Sequence, residues 1–213
     1  MSTKDNQDPK QIIKIILLGG TSVGKTSIIN RFNQNIWSIN SMTTFAPNFI
    51  EKTLKINNKN VVINVWDTAG QEKFNSVSKL FIKNAKIVIL VYDISSKESF
   101  DILNYWYDFL KKELEQEVVL GLAGNKIDLI EQDNFEEEIS DEMAENRAEE
   151  WGAEFALLSA KSDKKGIDDF FEKLVKKYLE DNKNFNLESR QTIKISNDDS
   201  NKKKHKKKCC NKD

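Results

Sequence analysis

Eight residues near the start of the chain have the types and the spacing of a phosphate-binding loop. Residues 19–26 read Gly-Gly-Thr-Ser-Val-Gly-Lys-Thr and match the pattern G-x-x-x-x-G-K-[S/T]. In such a loop the glycines let backbone N–H groups turn towards phosphate oxygens, the lysine reaches the terminal phosphates, and the last hydroxyl can ligate Mg²⁺. A glycine-rich turn beside an exposed lysine is the alternative. The predicted nucleotide contacts are Gly19, Thr21, Ser22, Val23, Gly24, Lys25, Thr26 and Ser27.

A second motif selects the base. Residues 125–128 read Asn-Lys-Ile-Asp and follow the apolar run 118–123. The Asp128 carboxylate can accept hydrogen bonds from both N1–H and the exocyclic amine of guanine, whereas adenine would leave it facing an unprotonated N1. An unpaired buried polar group costs about 1–3 kcal/mol, so the motif favours guanine and disfavours an ATPase or kinase. Asn125, Lys126 and Asp128 are the predicted contacts, although the composition also suits an ordinary surface loop.

A third, shorter motif supports the same base. Ser159, Ala160 and Lys161 follow the last apolar run of the chain, residues 154–158. The backbone N–H of Ala160 can donate to guanine O6 if this loop lies beside residues 125–128. Three residues carry little weight alone, but their place after a strand makes them consistent with a guanine site.

A fourth motif, residues 67–72, reads Asp-Thr-Ala-Gly-Gln-Glu. Asp67 ends a predicted strand, where its carboxylate can hold Mg²⁺, usually through water. The N–H of Gly70 can approach a γ-phosphate, and the side chain of Gln71 can orient an attacking water because an amide both donates and accepts. An ordinary exposed glutamine is the alternative for Gln71. Lys25, Gly70 and Gln71 are predicted catalytic groups, and Asp67 is a predicted metal ligand.

The elements that must position these motifs alternate between short β-branched runs and longer amphipathic stretches, as is typical of βαβ units. Strands are predicted at residues 12–18, 49–56, 61–66, 86–92, 118–123 and 154–158, and helices at 25–33, 99–115, 140–151 and 166–180. Residues 57–60 are too few for a crossover helix, so the second and third strands should form an antiparallel hairpin. The predicted fold is α/β, with a six-stranded mixed sheet flanked by helices.

Charge is divided unequally along the chain. The 213 residues carry a net charge of -1, but residues 200–213 hold seven Lys and one Asp, a balance of +6 that leaves -7 for the rest. An acidic body does not favour nucleic acid, whereas a basic tail favours the anionic cytoplasmic leaflet of a membrane. The only cysteines are Cys209 and Cys210, so the body cannot form a disulfide. We predict a flexible N-terminus at 1–10, one globular domain at 11–180, and a flexible polybasic tail at 181–213.

In this order the four motifs resemble those of the Ras-like small GTPases, and residues 44–49, 65–74 and 90–95 resemble the Rab family of membrane-traffic regulators. The resemblance covers residues 10–179. It implies a Ras-like P-loop GTPase fold and a protein that cycles between GTP-bound and GDP-bound states to regulate vesicle trafficking. The implied cofactor is Mg²⁺, with Thr26, Thr44 and Asp67 as ligands.

The same resemblance assigns two further nucleotide contacts. Thr44 is implied to be a further catalytic group that binds the γ-phosphate as well as the metal, and only in the GTP state. Trp37 is implied to pack against the guanine ring, although a role in the core is the alternative. The usual glycine is replaced by Thr21 in the phosphate loop, so we expect slow intrinsic hydrolysis. A nucleotide-locked scaffold without useful hydrolysis is the rival interpretation.

Several partners are implied by the resemblance: a nucleotide exchange factor, a GTPase-activating protein that supplies an arginine, a GDP dissociation inhibitor and prenylation enzymes. Effectors are implied to bind through Phe49, Trp66 and Phe81, for which packing within the hairpin is the alternative. The ending with Cys209 and Cys210 resembles a doubly prenylated tail. It implies a protein on the cytoplasmic face of an intracellular membrane, with a cytosolic pool.

Overall fold

This computed structural model describes residues 12–38, 48–67, 79, 81–114, 116–130 and 139–198, with side chains described for all of these except residue 48 and residues 183–198. A compact unit ends at Tyr178, and a second unit begins at Leu179. Within the described residues, none of the helices is both long and apolar enough to cross a bilayer.

Six strands of the compact unit form one sheet in the order β2-β3-β1-β4-β5-β6. Their bounds are β1 Ile12–Leu18, β2 Asn48–Ile56, β3 Lys59–Asp67, β4 Ile87–Asp93, β5 Val119–Asn125 and β6 Glu154–Leu158. β2 and β3 are antiparallel, and every other neighbouring pair is parallel. The predicted six-stranded mixed sheet is confirmed.

The hairpin between β2 and β3 is tighter than the sequence predicts. Asn57 and Asn58 alone form the turn, and both have a positive φ, of 49° and 61°. Positive φ at both central residues is the geometry of a type I′ turn, whose twist matches that of the flanking strands, and asparagine tolerates it well. The resulting register places Phe49 opposite Trp66.

Among the described residues, three helices lie between strands and a fourth follows β6: α1 Lys25–Gln34, α2 Lys97–Glu113, α3 Asp141–Trp151 and α4 Lys164–Asp198. α3 begins as predicted, because the side chain of Ser140 accepts a hydrogen bond from the N–H of Met143. The predicted end of the last helix at residue 180 is wrong, since α4 continues to Asp198. The stretch beyond residue 166 contains neither glycine nor proline, so nothing in it breaks a helix even where the apolar pattern stops.

Burial is greatest in the central strands. Every residue of β4 and of β5 is buried, as expected for parallel strands that are covered on both faces. Phe32 of α1 stacks on Phe171 of α4, with ring centroids 4.0 Å apart, which fixes these two helices against one another on the same side of the sheet. The parallel strands therefore bring their carboxyl ends to one rigid edge, where an open α/β sheet places its ligands.

Candidate nucleotide-binding site

The predicted motifs meet at this carboxyl edge. The phosphate loop follows β1, Asp67 ends β3, Asn125 ends β5, and the loop that begins at Ser159 follows β6. The folded chain thus brings residues from four separate stretches of sequence to neighbouring strand ends. Asp93, at the end of β4, lies in the same row although the sequence analysis gave it no role.

The phosphate loop has a backbone that ordinary side chains rarely adopt. Gly19, Ser22 and Gly24 have φ values of 150°, 64° and 97°. A Cβ at Gly19 would lie 2.1 Å from the carbonyl oxygen of Val91, and one at Gly24 would lie 2.2 Å from Nδ2 of Asn125. Glycine is required at both positions because the loop turns tightly between two buried elements.

Lys25 lies folded over the loop that precedes it. Its side chain donates from Nζ to the carbonyl oxygens of Gly19 at 2.9 Å and of Gly20 at 2.6 Å, and the residue is 6% exposed. A buried ammonium is costly unless a negative charge also approaches it. The loop therefore presents one fixed positive charge beside the N-terminus of α1, where phosphate is favoured.

Thr26 and Asp67 form the candidate magnesium site. The Thr26 hydroxyl donates to Oδ2 of Asp67 at 2.8 Å, and Asp67 is buried. Hydroxyl and carboxylate oxygens are the hard donors that Mg²⁺ prefers, so the pair fits this ion. Among the described residues there is no group of three or more His, Cys, Asp or Glu side chains that could hold a metal ion.

Asn125 joins the phosphate loop to the loop after β6. Its Nδ2 donates to the carbonyl oxygen of Val23 at 2.8 Å, and its Oδ1 accepts from the N–H of Ala160 at 3.1 Å. The residue is 2% exposed. Both ends of the side chain are thus used within the protein, which makes Asn125 a positioning residue. The N–H of Ala160, predicted to donate to guanine O6, has Asn125 as its protein acceptor.

Asp128 lies at the base end of the site. Its Oδ1 accepts from the Ser159 hydroxyl at 2.6 Å, and its Oδ2 lies 3.6 Å from Nζ of Lys161. The side chain is 14% exposed. Ser159 and Lys161 therefore hold a carboxylate whose remaining lone pairs can accept from two donors on one edge of a base.

Lys126 extends along the site from a left-handed backbone, with a φ of 74°. Its Nζ lies 2.5 Å from Oδ2 of Asp93, and Oδ1 of Asp93 accepts from the N–H and the hydroxyl of Ser95. Sequence reasoning missed Asp93, although its place at the end of a predicted strand was a usable signal. This ion pair fixes the ammonium group of Lys126 at the end of β4.

Trp37 and Arg31 complete the base end. Nζ of Lys161 lies 5.7 Å from the centroid of the Trp37 ring, so this aromatic side chain does lie beside the loop after β6. Arg31 donates to the backbone of the same loop. Its role was missed because an arginine in an amphipathic helix gives no local signal.

Other predicted residues lie outside the described part of the chain: Thr44, Gly70, Gln71, Cys209 and Cys210. Ser27, by contrast, is in the first turn of α1 directly after Thr26. The roles predicted for all of these residues stay predictions.

The three aromatic residues predicted to bind effectors are brought together. Phe49 stacks on Trp66 at 4.9 Å between ring centroids, and Trp66 lies 6.1 Å from Phe81. Phe49 remains 48% exposed. Nζ of Lys14 lies 4.6 Å from the Trp66 ring and donates to the carbonyl oxygen of Lys83 at 3.0 Å, and burial lowers the pKa of Lys14. The cluster is both internally packed and open on one side.

The fold and the motifs at the strand ends are those of a P-loop nucleotide-binding protein. The family model for the Ras family matches residues 14–180. The chain is 38% identical to Ras-related protein Rab-21 of Mus musculus over 167 residues, which cover 78% of this chain and 73% of that protein. Human Rab-21 is 35% identical with the same coverage of this chain and 72% of its own length, and Ras-related protein RABA2d of Arabidopsis thaliana is 34% identical over 160 residues, 75% of this chain and 72% of its own.

The chain therefore belongs to the Ras family of small GTPases, and within it to the Rab proteins. Members of this family bind guanine nucleotides, hydrolyse GTP and regulate vesicle trafficking. As a family they act with exchange factors, activating proteins, effectors and GDP dissociation inhibitors, and they associate with membranes.

Proposed function

We propose that this chain is a slow GTPase switch, with Mg²⁺ as cofactor, that is anchored to a membrane by its C-terminal cysteines. The observation that supports it best is the pair of hydrogen bonds made by Asn125, which connect the phosphate loop at Val23 to the base loop at Ala160. A site held together in this way can fix the triphosphate and the base of one nucleotide at the same time.

The base is guanine because Asp128 is held as a partly buried acceptor, with its side chain 14% exposed. Ser159 and Lys161 occupy some of the lone pairs of the Asp128 carboxylate. The remaining lone pairs can accept from N1–H and from the exocyclic amine of guanine. Trp37 covers the ring beside Lys161, and O6 of the base competes with Oδ1 of Asn125 for the N–H of Ala160. Adenine offers an unprotonated N1 at the same edge and would leave the carboxylate unsatisfied.

The phosphates bind along the N-terminus of α1. The ammonium group of Lys25 exchanges its carbonyl acceptors on Gly19 and Gly20 for phosphate oxygens. N–H groups of residues 19–26 surround the same oxygens. Thr26, Asp67 and, in the GTP state, Thr44 would hold Mg²⁺. When bound, this ion neutralises charge on the β- and γ-phosphates.

Hydrolysis is an in-line attack by a water that Gln71 orients, and the N–H of Gly70 binds the γ-phosphate. The phosphorus–oxygen bond to the leaving GDP breaks as the bond to the water oxygen forms. Loss of the γ-phosphate then removes its contacts with Thr44 and Gly70 and releases both switch segments. Residues 37–49 contain no arginine, so an activating protein supplies one in trans.

Substitution of Gln71 by leucine tests the catalytic part. Leucine has a similar size but cannot orient water, so single-turnover GTP hydrolysis should slow about tenfold or more while GDP affinity is kept. The matched control is Gln34→Leu, at an exposed position of α1. An unchanged rate for Gln71→Leu removes it from the mechanism. A wild-type protein that shows no turnover even with an activating protein favours the nucleotide-locked scaffold.

The C-terminal tail determines where in the cell the protein is found. Residues 11–180 are the GTPase domain, and residues 181–213 are the hypervariable tail with its polybasic stretch. Two prenyl chains on Cys209 and Cys210 plus the lysines before them supply the two signals that stable anchoring needs. The protein then cycles between the cytoplasmic face of an intracellular membrane and a cytosolic pool bound to a GDP dissociation inhibitor.

Effectors bind at Phe49, Trp66 and Phe81.

Deletion of Cys209 to Asp213 tests this part separately. The truncated protein should move to the cytosolic fraction while its nucleotide binding is unchanged. A Cys209→Ser, Cys210→Ser double variant controls for the loss of the last three residues. Membrane fractionation of the double variant like that of the full chain contradicts the anchor.

A further inference from the structure

Arg31 lies in the last turns of α1 and bridges two loops with one guanidinium group. Its Nε donates to the carbonyl oxygen of Ala160 at 2.8 Å, and its Nη2 donates to that of Lys161 at 2.5 Å. Its Nη1 donates to the backbone oxygen of Asn35 at 3.1 Å and to Oδ1 of Asn35 at 2.9 Å. Every nitrogen of the group therefore has an acceptor inside the protein.

Each of the two loops lies next to the base end of the site. Ala160 and Lys161 belong to the loop that holds Asp128 and offers an N–H to the base. Asn35 ends α1 in a left-handed conformation, with a φ of 57°, and its N–H donates back to the carbonyl oxygen of Arg31. Two residues later the chain reaches Trp37, whose ring lies near Lys161. Arg31 thus fixes the spacing between the two sides of the base pocket.

α1 also carries the phosphate end, because Lys25 and Thr26 form its first turn. A helix of ten residues is rigid over this length, so a contact at Arg31 relates the base loop directly to the position of the phosphate loop. Asn125 makes a corresponding link on the other side, between Val23 and Ala160. The loop after β6 is therefore held from both ends of the phosphate-binding element.

We propose that Arg31 is a positioning residue that sets how long the nucleotide stays bound. Its hydrogen bonds hold the loop of Ala160 and Lys161 closed over the base, and they hold the segment from Asn35 to Trp37 against it. Without them the base loop opens more often, and GDP leaves faster. Arg31 donates to the base loop and to Asn35, so its effect is on how long the nucleotide is held. This inference rests on the proposed guanine site.

Only arginine has the geometry for this role. The planar guanidinium group presents five N–H donors in a fixed fork, which here reaches three carbonyl oxygens and one amide oxygen. Lysine keeps the charge but has one nitrogen, which cannot reach both loops at once. Glutamine keeps a donor but loses the charge and most of the reach.

The experiment measures GDP release from the full chain, with fluorescently labelled GDP bound and unlabelled GDP added in excess. Arg31→Lys and Arg31→Gln should each release GDP about tenfold faster, the factor that corresponds to the loss of one hydrogen bond from a charged donor. Single-turnover hydrolysis of prebound GTP is measured in the same variants, which separates nucleotide release from the chemical step. Asn35→Gly keeps the left-handed backbone and the backbone acceptor but loses Oδ1, so a smaller acceleration is expected.

Arg147→Gln is the matched control. Arg147 is also a half-buried arginine, which lies 5.2 Å from the Trp151 ring and 3.3 Å from Glu150, but it is on α3 and contacts none of the site residues. Its loss should lower the thermal midpoint while GDP release stays at the wild-type rate. The thermal midpoint of every variant is measured in parallel.

Two results overturn the inference. One is wild-type GDP release in both Arg31 variants. The other is a GDP release rate that rises in proportion to the loss of thermal midpoint, to the same degree in the Arg31 and Arg147 variants. That result would mean that Arg31 acts only through global stability. A wild-type protein that binds no GDP at all would instead contradict the proposed guanine site.

Discussion

The side-chain amide of Asn125 donates to the carbonyl oxygen of Val23 at 2.8 Å, across 102 positions of sequence. The same side chain accepts from the N–H of Ala160, 35 positions further along. One buried residue thus fixes the position of the phosphate loop relative to the base loop.

Replacement of Asn125 should therefore weaken both ends of the site together. Asn125→Ala leaves the Val23 carbonyl and the Ala160 N–H without their partner, at about 1–3 kcal/mol for each buried group. We expect faster release of GDP by about tenfold or more and a lower thermal midpoint. Asn125→Asp keeps the acceptor for Ala160 but places a carboxylate oxygen against the Val23 carbonyl, so it should be at least as damaging. Asn30→Ala, at an exposed position of α1, is the control. Near-wild-type release from Asn125→Ala would contradict the link.

Base selectivity should follow the chemistry of residue 128. Asp128 offers only acceptors, whereas asparagine offers one acceptor and one donor. Asp128→Asn should lose at least about tenfold in affinity for GDP and gain affinity for xanthosine diphosphate, which presents a carbonyl where guanine has its amine. Competition of the two nucleotides on one protein sample measures this directly. If the preference is unchanged, Asp128 does not contact the base.

Thr21 should limit the rate of hydrolysis. Its side chain is exposed on the phosphate loop, where it can crowd a water or an incoming arginine. Thr21→Gly should accelerate single-turnover GTP hydrolysis severalfold, with and without an activating protein, and leave GDP affinity nearly unchanged.

Ser22→Gly separates this effect from backbone freedom. Ser22 has a φ of 64°, which glycine adopts without strain, so this variant should be slightly more stable than the wild type but no faster. Equal acceleration in both variants would point to loop flexibility and away from the Thr21 side chain.

Glu154 should make the stability of the compact unit depend on acidic pH. Its carboxylate lies 2.7 Å from Nζ of Lys173 and 2.6 Å from Nζ of Lys177, and these two hydrogen bonds lower the pKa of Glu154. A lowered pKa in the folded state contributes stability above the ordinary value of 4.5, and that contribution is lost as pH falls through the folded value.

Glu154→Gln should thus cost about 0.5–1 kcal/mol at pH 7, and the difference from the wild type should shrink as pH falls below about 4.5. Urea unfolding over this range checks both parts. Glu172→Gln is the control: it removes a more exposed ion pair with Lys176, on the same helix as Lys173 and Lys177, and should hardly change the free energy of unfolding. A constant difference at all pH values would contradict the role of the Glu154 charge.

The sequence predicted the element order and the sheet type because hydrophobic periodicity reports which face of each element is buried. It also predicted which strand ends carry chemistry. The phosphate loop, Gly19 to Thr26, needs a strand before it and a helix after it. The base motif, Asn125 to Asp128, needs to follow a parallel strand. Both flanking patterns can be recognised in the local sequence. The end of the last helix was predicted too early, because the periodicity that indicates packing stops before the helix does.

By itself, then, the sequence determined the fold, the phosphate loop and the order of the motifs, since these depend on short-range patterns and on parallel strands sharing one edge. Only the tertiary structure decided what the side chains contact. Asn125 turns both of its polar ends into the protein, Lys126 pairs with Asp93, and Arg31 reaches the loop of Ala160 and Lys161. The physical reason is that a hydrogen bond needs its two atoms within about 3 Å, and the fold alone brings together atoms that the chain separates by dozens of residues.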